Sequence, residues 1–103
     1  MNLEKNLKLT MLFEFYSKLL TEKQQNIFIM YYFDDISLGE IAVINNISRQ
    51  AVRDSLIKAE SSLRNFEEKL GMVSKYEQTK KILNSNDIHE EIKMKILQVW
   101  EGK

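Results

Sequence analysis

The chain has 103 residues, and its fifteen basic and fifteen acidic side chains cancel to a formal net charge of zero. This length allows one domain with a modest hydrophobic core. With no cysteine and one histidine, the composition excludes a disulfide framework, a thiolate zinc site and a cysteine nucleophile. Because the charges balance, the molecule as a whole has no field that would hold it on a polyanion.

Charged residues interrupt every apolar run, so the sequence contains neither a signal-peptide core nor a membrane span. We therefore expect a cytoplasmic protein that does not insert into a membrane. There is no proline and there are only three glycines, so little obliges the backbone to leave helical conformations. The sequence predicts an all-α fold, a single compact domain over residues 1–103 with five to six helices.

Apolar residues spaced three and four apart predict a first helix from Asn6 to Leu20. Its inner face would comprise Leu9, Leu12, Phe13, Tyr16, Leu19 and Leu20. Thr21 and Gln24 form a capping box that predicts the start of a second helix. The inward residues of that helix would be Ile27, Phe28, Tyr31 and Tyr32. We favour core packing for Tyr31, Tyr32 and Phe33 over stacking on single-stranded bases.

A second capping box, Ser37 with Glu40, predicts a short third helix that ends at Asn45 and Asn46. A third cap at Ser48 opens a fourth helix without a breaker until Gly71. Its apolar stripe comprises Val52, Leu56, Ala59, Leu63, Phe66 and Leu70. We assign the first half of the stripe to the core and allow a dimer or partner contact for the last three residues.

Two further helices are predicted near the end of the chain. Ser74 is the expected cap of a fifth helix through Leu83, and residues 85–87 form a turn. The apolar residues of the sixth helix are Ile88, Ile92, Ile96, Val99 and Trp100. His89, beside Glu90 and Glu91, is interpreted as a solvated or capping residue rather than a metal ligand. The pair Glu67 and Glu68 is assigned to a solvated face of the fourth helix.

Residues 37–59 have the layout of a helix-turn-helix. Ala42 is small where two helices would cross closely, and Asn46 stands at the turn position, where it tolerates positive φ. The expected core-facing residues of this unit are Ile41, Ile47, Val52 and Leu56. The alternative is a capped helix pair in a bundle, whose arginines only keep its outer face in water.

The candidate DNA-binding residues are Ser48, Arg49, Gln50, Arg53 and Lys58. Ser48 would cap the second helix while the neighbouring N–H groups face a phosphate. Arginine can bridge guanine O6 and N7, and glutamine can bridge adenine N6 and N7. Lys58 would contact a phosphate.

The basic face is local and small. Residues 45–66 contain four basic and two acidic side chains, and Asp54 opposes phosphate binding. Affinity for DNA would therefore need a dimer or a partner. No nucleophile has a base paired with it by spacing, so we expect neither an enzyme nor a cofactor.

The segment LLTEKQQNIFIMYYFDDISLGEIAVINNISRQAVRDSL resembles region 4 of sigma factors. Together with AESSLRNFEEKLGMVSKYE, it is more specifically similar to the YlxM family of small bacterial proteins. The resemblance covers roughly residues 10–80 and rests on YYFDD, SLGEIA, SRQAV and EKLGM. It departs from the helix-turn-helix consensus at Asn46, and the chain lacks the sigma regions that open promoters.

The resemblance implies a sigma-region-4-like helical fold and a regulatory or DNA-binding role. It also implies a link to the signal recognition particle pathway, because genes of this family tend to lie beside those of the particle's protein subunit and receptor. Two hypotheses follow. The first is a regulator that binds double-stranded DNA as a homodimer. The second is a protein or ribonucleoprotein interaction module that acts on signal recognition particle components and does not read DNA.

Overall fold

Six α-helices account for most of the chain in this computed structural model, which describes the backbone of residues 3–102 and the side chains of residues 7–102. The helices are α1 (Leu3–Tyr16), α2 (Glu22–Tyr32), α3 (Leu38–Asn45), α4 (Arg49–Leu70), α5 (Met72–Ser85) and α6 (Glu90–Glu101). The described range contains no strand, so the predicted all-α class is confirmed. Residues 1, 2 and 103 of the predicted domain lie outside the described residues. No helix in the described range is long and apolar enough to cross a membrane.

The first predicted helix ends earlier than its apolar pattern suggested. The α-helical part stops at Tyr16, and residues 17–19 form a 3-10 turn. The tighter turn rotates the last residues around the axis, so Leu19 is 57% exposed while Leu20, in extended conformation, is buried. The assignment of Leu19 to the inner face was therefore wrong.

Side-chain caps fix the starts of α2 and α3. Thr21 Oγ1 accepts a hydrogen bond from the Gln24 N–H at 3.1 Å, and Gln24 Oε1 accepts one from the Thr21 N–H at 3.0 Å. This is the predicted reciprocal box. At α3 only half of the box forms. Ser37 Oγ accepts a hydrogen bond from the Glu40 N–H at 3.2 Å. The Glu40 carboxylate accepts from the Ser37 hydroxyl, whereas a complete box would have it accept from the Ser37 backbone N–H.

Two clusters of buried side chains form the core, and α4 contributes to both. The first cluster comprises Leu9, Leu12, Phe13, Tyr16, Leu20, Phe28, Ala59, Leu63 and Val73. The second comprises Ile27, Ile41, Ala42, Val52 and Leu56. Tyr32 packs against both clusters, which supports core packing of this residue. Phe33, in contrast, is 47% exposed.

The second half of the α4 stripe is covered by the chain's own helices. Leu63 is fully buried in the first cluster, and Phe66 packs against that cluster beside the ring of Tyr16. Of the three residues allowed for a partner contact, only Leu70 is exposed, at 46%. The prediction was wrong for Leu63 and Phe66 because α1 and α5 cover this part of α4.

The fifth helix begins at Met72, two residues before the predicted cap at Ser74. Gly71 takes the left-handed conformation (φ 61°, ψ 27°) and links α4 directly to α5. The cap comes from the preceding helix, because the Glu67 carboxylate accepts hydrogen bonds from the N–H groups of Val73 and Ser74 at 3.0 and 3.1 Å. Glu67 is thus a capping residue, and its assignment to a solvated face was wrong.

Tyr16 completes this junction from α1. Its hydroxyl donates to Glu67 Oε1 at 2.6 Å and accepts from the Met72 N–H at 3.0 Å. Burial, followed by the hydrogen bond to Glu67, raises the pKa of Tyr16. Burial acts to raise the pKa of Glu67 as well, but the hydrogen bonds from Tyr16, Val73 and Ser74 hold it below the usual value. Three helices therefore meet at one hydrogen-bonded carboxylate.

The α5–α6 hairpin extends the molecule, whose described residues measure 53 × 25 × 25 Å. His89 caps α6, its Nδ1 accepting from the Glu91 N–H at 3.2 Å, which confirms the capping interpretation. The apolar stripe of α6 faces outward, with Ile92 51%, Ile96 37% and Val99 78% exposed. No residue of α6 is buried.

Replacing Glu67 with glutamine is expected to lower the free energy of unfolding by about 1–3 kcal/mol, because an amide nitrogen would replace one acceptor oxygen at the α5 start. Urea unfolding followed by circular dichroism measures the change. Glu68→Gln is the matched control, since Glu68 is exposed, and it should shift stability by less than about 0.5 kcal/mol.

The same comparison has a defined pH dependence. The pKa of Glu67 is lowered by folding, so its contribution is complete above the ordinary glutamate pKa and is lost as the pH falls through the lowered value. The stability difference between the wild type and Glu67→Gln should therefore shrink in acid. A difference that stays constant down to acid unfolding would contradict this account of the junction.

Candidate nucleic-acid interface

The turn between α3 and α4 has the left-handed residue that the sequence predicted. Asn46 adopts φ 54° and ψ 45°. The Ile47 N–H donates to the Ala42 carbonyl at 3.0 Å, and the Asn46 N–H donates to the Val43 carbonyl at 3.2 Å. This pair of bonds is a Schellman motif, which ends a helix and redirects the chain. Asparagine tolerates this conformation better than most residues other than glycine.

Small and branched side chains hold α3 against α4. Ala42 is buried, and Ile41 and Val52 are fully buried in the second cluster, with Ile47 packed against it. The Asn45 side chain donates to the Ile41 carbonyl, one turn earlier in α3, at 2.8 Å. Residues 37–59 thus form a packed helix-turn-helix.

A hydrogen bond between two side chains fixes α4 relative to α2. The Tyr32 hydroxyl donates to Glu60 Oε2 at 2.8 Å. Burial first, and then this bond, raise the pKa of Tyr32 well above its usual value. From the sequence, Glu60 counts only as a negative charge in the basic segment 45–66. Its position beside Ala59, at the edge of the apolar stripe, was the available signal that it meets another helix.

Ser48 caps α4 as predicted. Its Oγ accepts from the Ala51 N–H at 3.0 Å, and its carbonyl accepts from the Val52 N–H at 3.1 Å. The N–H groups of Arg49 and Gln50 belong to the first turn, where no preceding helical carbonyl can accept them. Together with the helix dipole, such groups form a binding site for an anionic oxygen.

Arg49, Gln50 and Arg53 are exposed in the first two turns of α4. Neither arginine forms an ion pair within residues 7–102. Gln50 donates from Nε2 to Asp54 Oδ1 at 2.9 Å. The structure therefore brings two unpaired cations and a bonded amide–carboxylate pair to one end of the helix.

Lys58 lies apart from this group. It is exposed, but it stands five positions after Arg53, which places it about 140° around the axis and about 7.5 Å along it. Lys58 and Arg53 therefore flank opposite sides of the outer face of α4. Within the described chain, no group of three metal-ligating side chains comes together.

A second exposed surface of the unit, acidic and apolar, lies on α3 and the loop before it. Val43 and Ile44 on α3 are 82% and 58% exposed. The loop before α3 contains Asp34 and Asp35, and Asp35 has a positive φ of 55°. Such a conformation at a residue other than glycine is uncommon, although aspartate adopts it more readily than most.

Comparison with known proteins agrees with this architecture. The family profile UPF0122, described as "Putative helix-turn-helix protein, YlxM / p13 like", matches residues 3–100. A UPF0122 protein of Desulforamulus reducens is 54% identical over 76 residues, which are 74% of this chain and 65% of that relative, slightly less than two thirds of its length. The UPF0122 protein GK1195 of Geobacillus kaustophilus is 48% identical over 81 residues, 79% of this chain and 74% of that protein. The family predicted from the sequence is confirmed, and the chain belongs to the YlxM / p13-like UPF0122 family of helix-turn-helix proteins.

Proposed function

We propose that this protein is a cytoplasmic, sigma-region-4-like regulator that places the first two turns of α4 in the major groove of double-stranded DNA. The observation that carries the proposal is the start of α4. There a serine cap leaves the N–H groups of Arg49 and Gln50 open, and Arg49 and Arg53 are exposed without a partner in the described chain. Both features favour anionic and acceptor-rich ligands.

Each residue has a distinct task in this arrangement. The open N–H groups and the Ser48 hydroxyl contact a backbone phosphate, which positions the helix. Arg49 and Arg53 bridge guanine O6 and N7, and Gln50 reads adenine. Lys58, on the opposite flank, contacts a phosphate on the other wall of the groove. The groove is about 12 Å wide and accepts one α-helix.

Replacing both Arg49 and Arg53 with alanine should reduce affinity for a selected duplex by at least about thirtyfold, since each specific arginine contact contributes about 1–3 kcal/mol. Helicity should not change, because both side chains are exposed. Fluorescence anisotropy at stated salt measures the affinity. The control is Lys75→Ala with Lys81→Ala, which removes two exposed cations from α5. Equal losses in the two double variants would contradict a specific role for the arginines.

A homodimer is the second part of the proposal, because a neutral chain with a small basic face binds DNA weakly as a monomer. We assign the contact to the exposed stripe Ile92, Ile96 and Val99. A helix of twelve residues with no buried side chain is marginal by itself. Pairing with a second α6 would bury the stripe.

The stripe suits a second copy for two reasons. Apolar residues precede and follow Ile96 by four and three positions, so in an antiparallel two-fold contact centred on Ile96 each end of the stripe meets the other end of its copy. Four of the five charged residues of α6 also form ion pairs within the helix. Lys95 pairs with Glu91 at 3.5 Å, and Lys93 with Glu90 at 3.8 Å. Two copies can therefore approach with little repulsion between these paired residues.

Ile96→Glu should convert the dimer to a monomer, because a charge would be buried without a partner at the centre of the contact. Analytical ultracentrifugation of the wild type and the variant measures this directly. Ile82→Glu is the control, since Ile82 is 62% exposed on α5 outside the stripe. A wild type that sediments as a monomer at high concentration, or a control that dissociates equally, would refute the assignment.

The second candidate function is an interaction module for signal recognition particle components. The exposed Val43 and Ile44 on α3, beside the acidic residues Asp34, Asp35 and Glu40, favour it because they suit a protein surface better than DNA. Pull-down from lysate, with and without nuclease, separates the two candidates. Loss of the bound material after DNase treatment supports the regulator, whereas retention of particle components supports the module.

A further inference from the structure

The centre of the outer face of α4 is occupied by Asp54 and Gln50, not by the arginines. Asp54 is two residues from both Val52 and Leu56, which are buried, so it lies about 160° around the axis from each of them. Gln50 stands one turn earlier on the same face. Arg53 lies between this face and the core. In a helix that enters a groove, the central side chains face the base edges directly, whereas flanking side chains reach them only if they are long, as arginine is.

The hydrogen bond between the two residues fixes what each can offer to a base. Gln50 Nε2 donates one hydrogen to Asp54 Oδ1 at 2.9 Å. The Gln50 carboxamide keeps its second N–H and its carbonyl oxygen, the two groups needed to bridge adenine N7 and N6. Asp54 keeps Oδ2, and an ionised carboxylate only accepts hydrogen bonds.

Only some base edges fit such an acceptor. The cytosine N4 amino group is a donor in the major groove and pairs with a carboxylate, whereas guanine presents two acceptors, O6 and N7, and thymine presents the acceptor O4. Adenine presents the N6 amino donor, but the neighbouring acceptor N7 repels the carboxylate. Phosphates repel it as well. Asp54 therefore favours one base and disfavours contacts with the backbone.

We propose that Asp54 is a specificity-determining residue that selects cytosine through its N4 amino group, with Gln50 selecting adenine nearby. The inference rests on the proposed DNA-binding function and deepens it. Gln50 and Asp54 are about 6 Å apart along α4, and successive base pairs are about 3.4 Å apart, so the two bases lie one or two steps apart. Specificity then comes from exclusion as well as attraction.

The test is selection of bound duplexes from a random pool with the wild type, Asp54→Asn and Glu68→Gln at one stated salt concentration. The wild type should prefer cytosine at one position by about tenfold. Asp54→Asn keeps an oxygen that can accept from Gln50 but removes the charge and adds a donor. Its preference at that position should move to adenine, which asparagine bridges, and its affinity for mixed-sequence DNA should rise at least about threefold.

The control and the outcomes separate this inference from the proposed function. Glu68→Gln removes the same charge from an exposed position of α4 far from the cap, and its selected sequences should match those of the wild type. If the wild type selects duplexes and Asp54→Asn selects the same base at every position, the role of Asp54 is refuted while DNA binding stands. If the wild type selects no duplex, both proposals fall.

Discussion

Burial of one side of α4 along most of its length is the constraint on which the rest of the structure depends. Four of its residues, Val52, Leu56, Ala59 and Leu63, are buried and belong to two separate clusters. Because both clusters hold the same helix, α4 cannot rotate about its axis without breaking each of them. The opposite side at its first turns is therefore fixed in direction, which a surface that reads base edges requires.

Two tyrosine–carboxylate hydrogen bonds complete the placement of α4. Tyr32 binds Glu60 near the middle of the helix, and Tyr16 binds Glu67 near its end. The Tyr16 hydroxyl and the Glu67 carboxylate also accept hydrogen bonds from the first N–H groups of α5. The direction of the α5–α6 hairpin therefore follows from the position of α4. In the proposed dimer, the stripe on α6 would then set the separation of the two helix-turn-helix units, and hence the spacing of half-sites.

Local signals predicted most of the fold, because caps and left-handed turns are decided by a few adjacent residues. Thr21, Ser37, Ser48, Asn46 and Gly71 all act where expected. Apart from the local 3-10 turn that exposes Leu19, the failures concern contacts between distant segments. The roles of Glu60 and Glu67 depend on tyrosines 28 and 51 positions away, and no local pattern contains that information. At the candidate site, the sequence identified the exposed cations, but the Gln50–Asp54 bond and the separate position of Lys58 required the helix geometry.

The central claim, that the start of α4 is a nucleic-acid contact surface, is tested most directly by NMR titration of the isotope-labelled protein with a mixed-sequence DNA duplex. We predict that the largest shifts occur at the backbone N–H groups of Arg49 and Gln50 and at the Arg53 side chain. At a protein concentration where the proposed dimer is already formed, signals of α6 should change little. Shifts confined to α3 or α6, or no shifts at low salt, would contradict the claim.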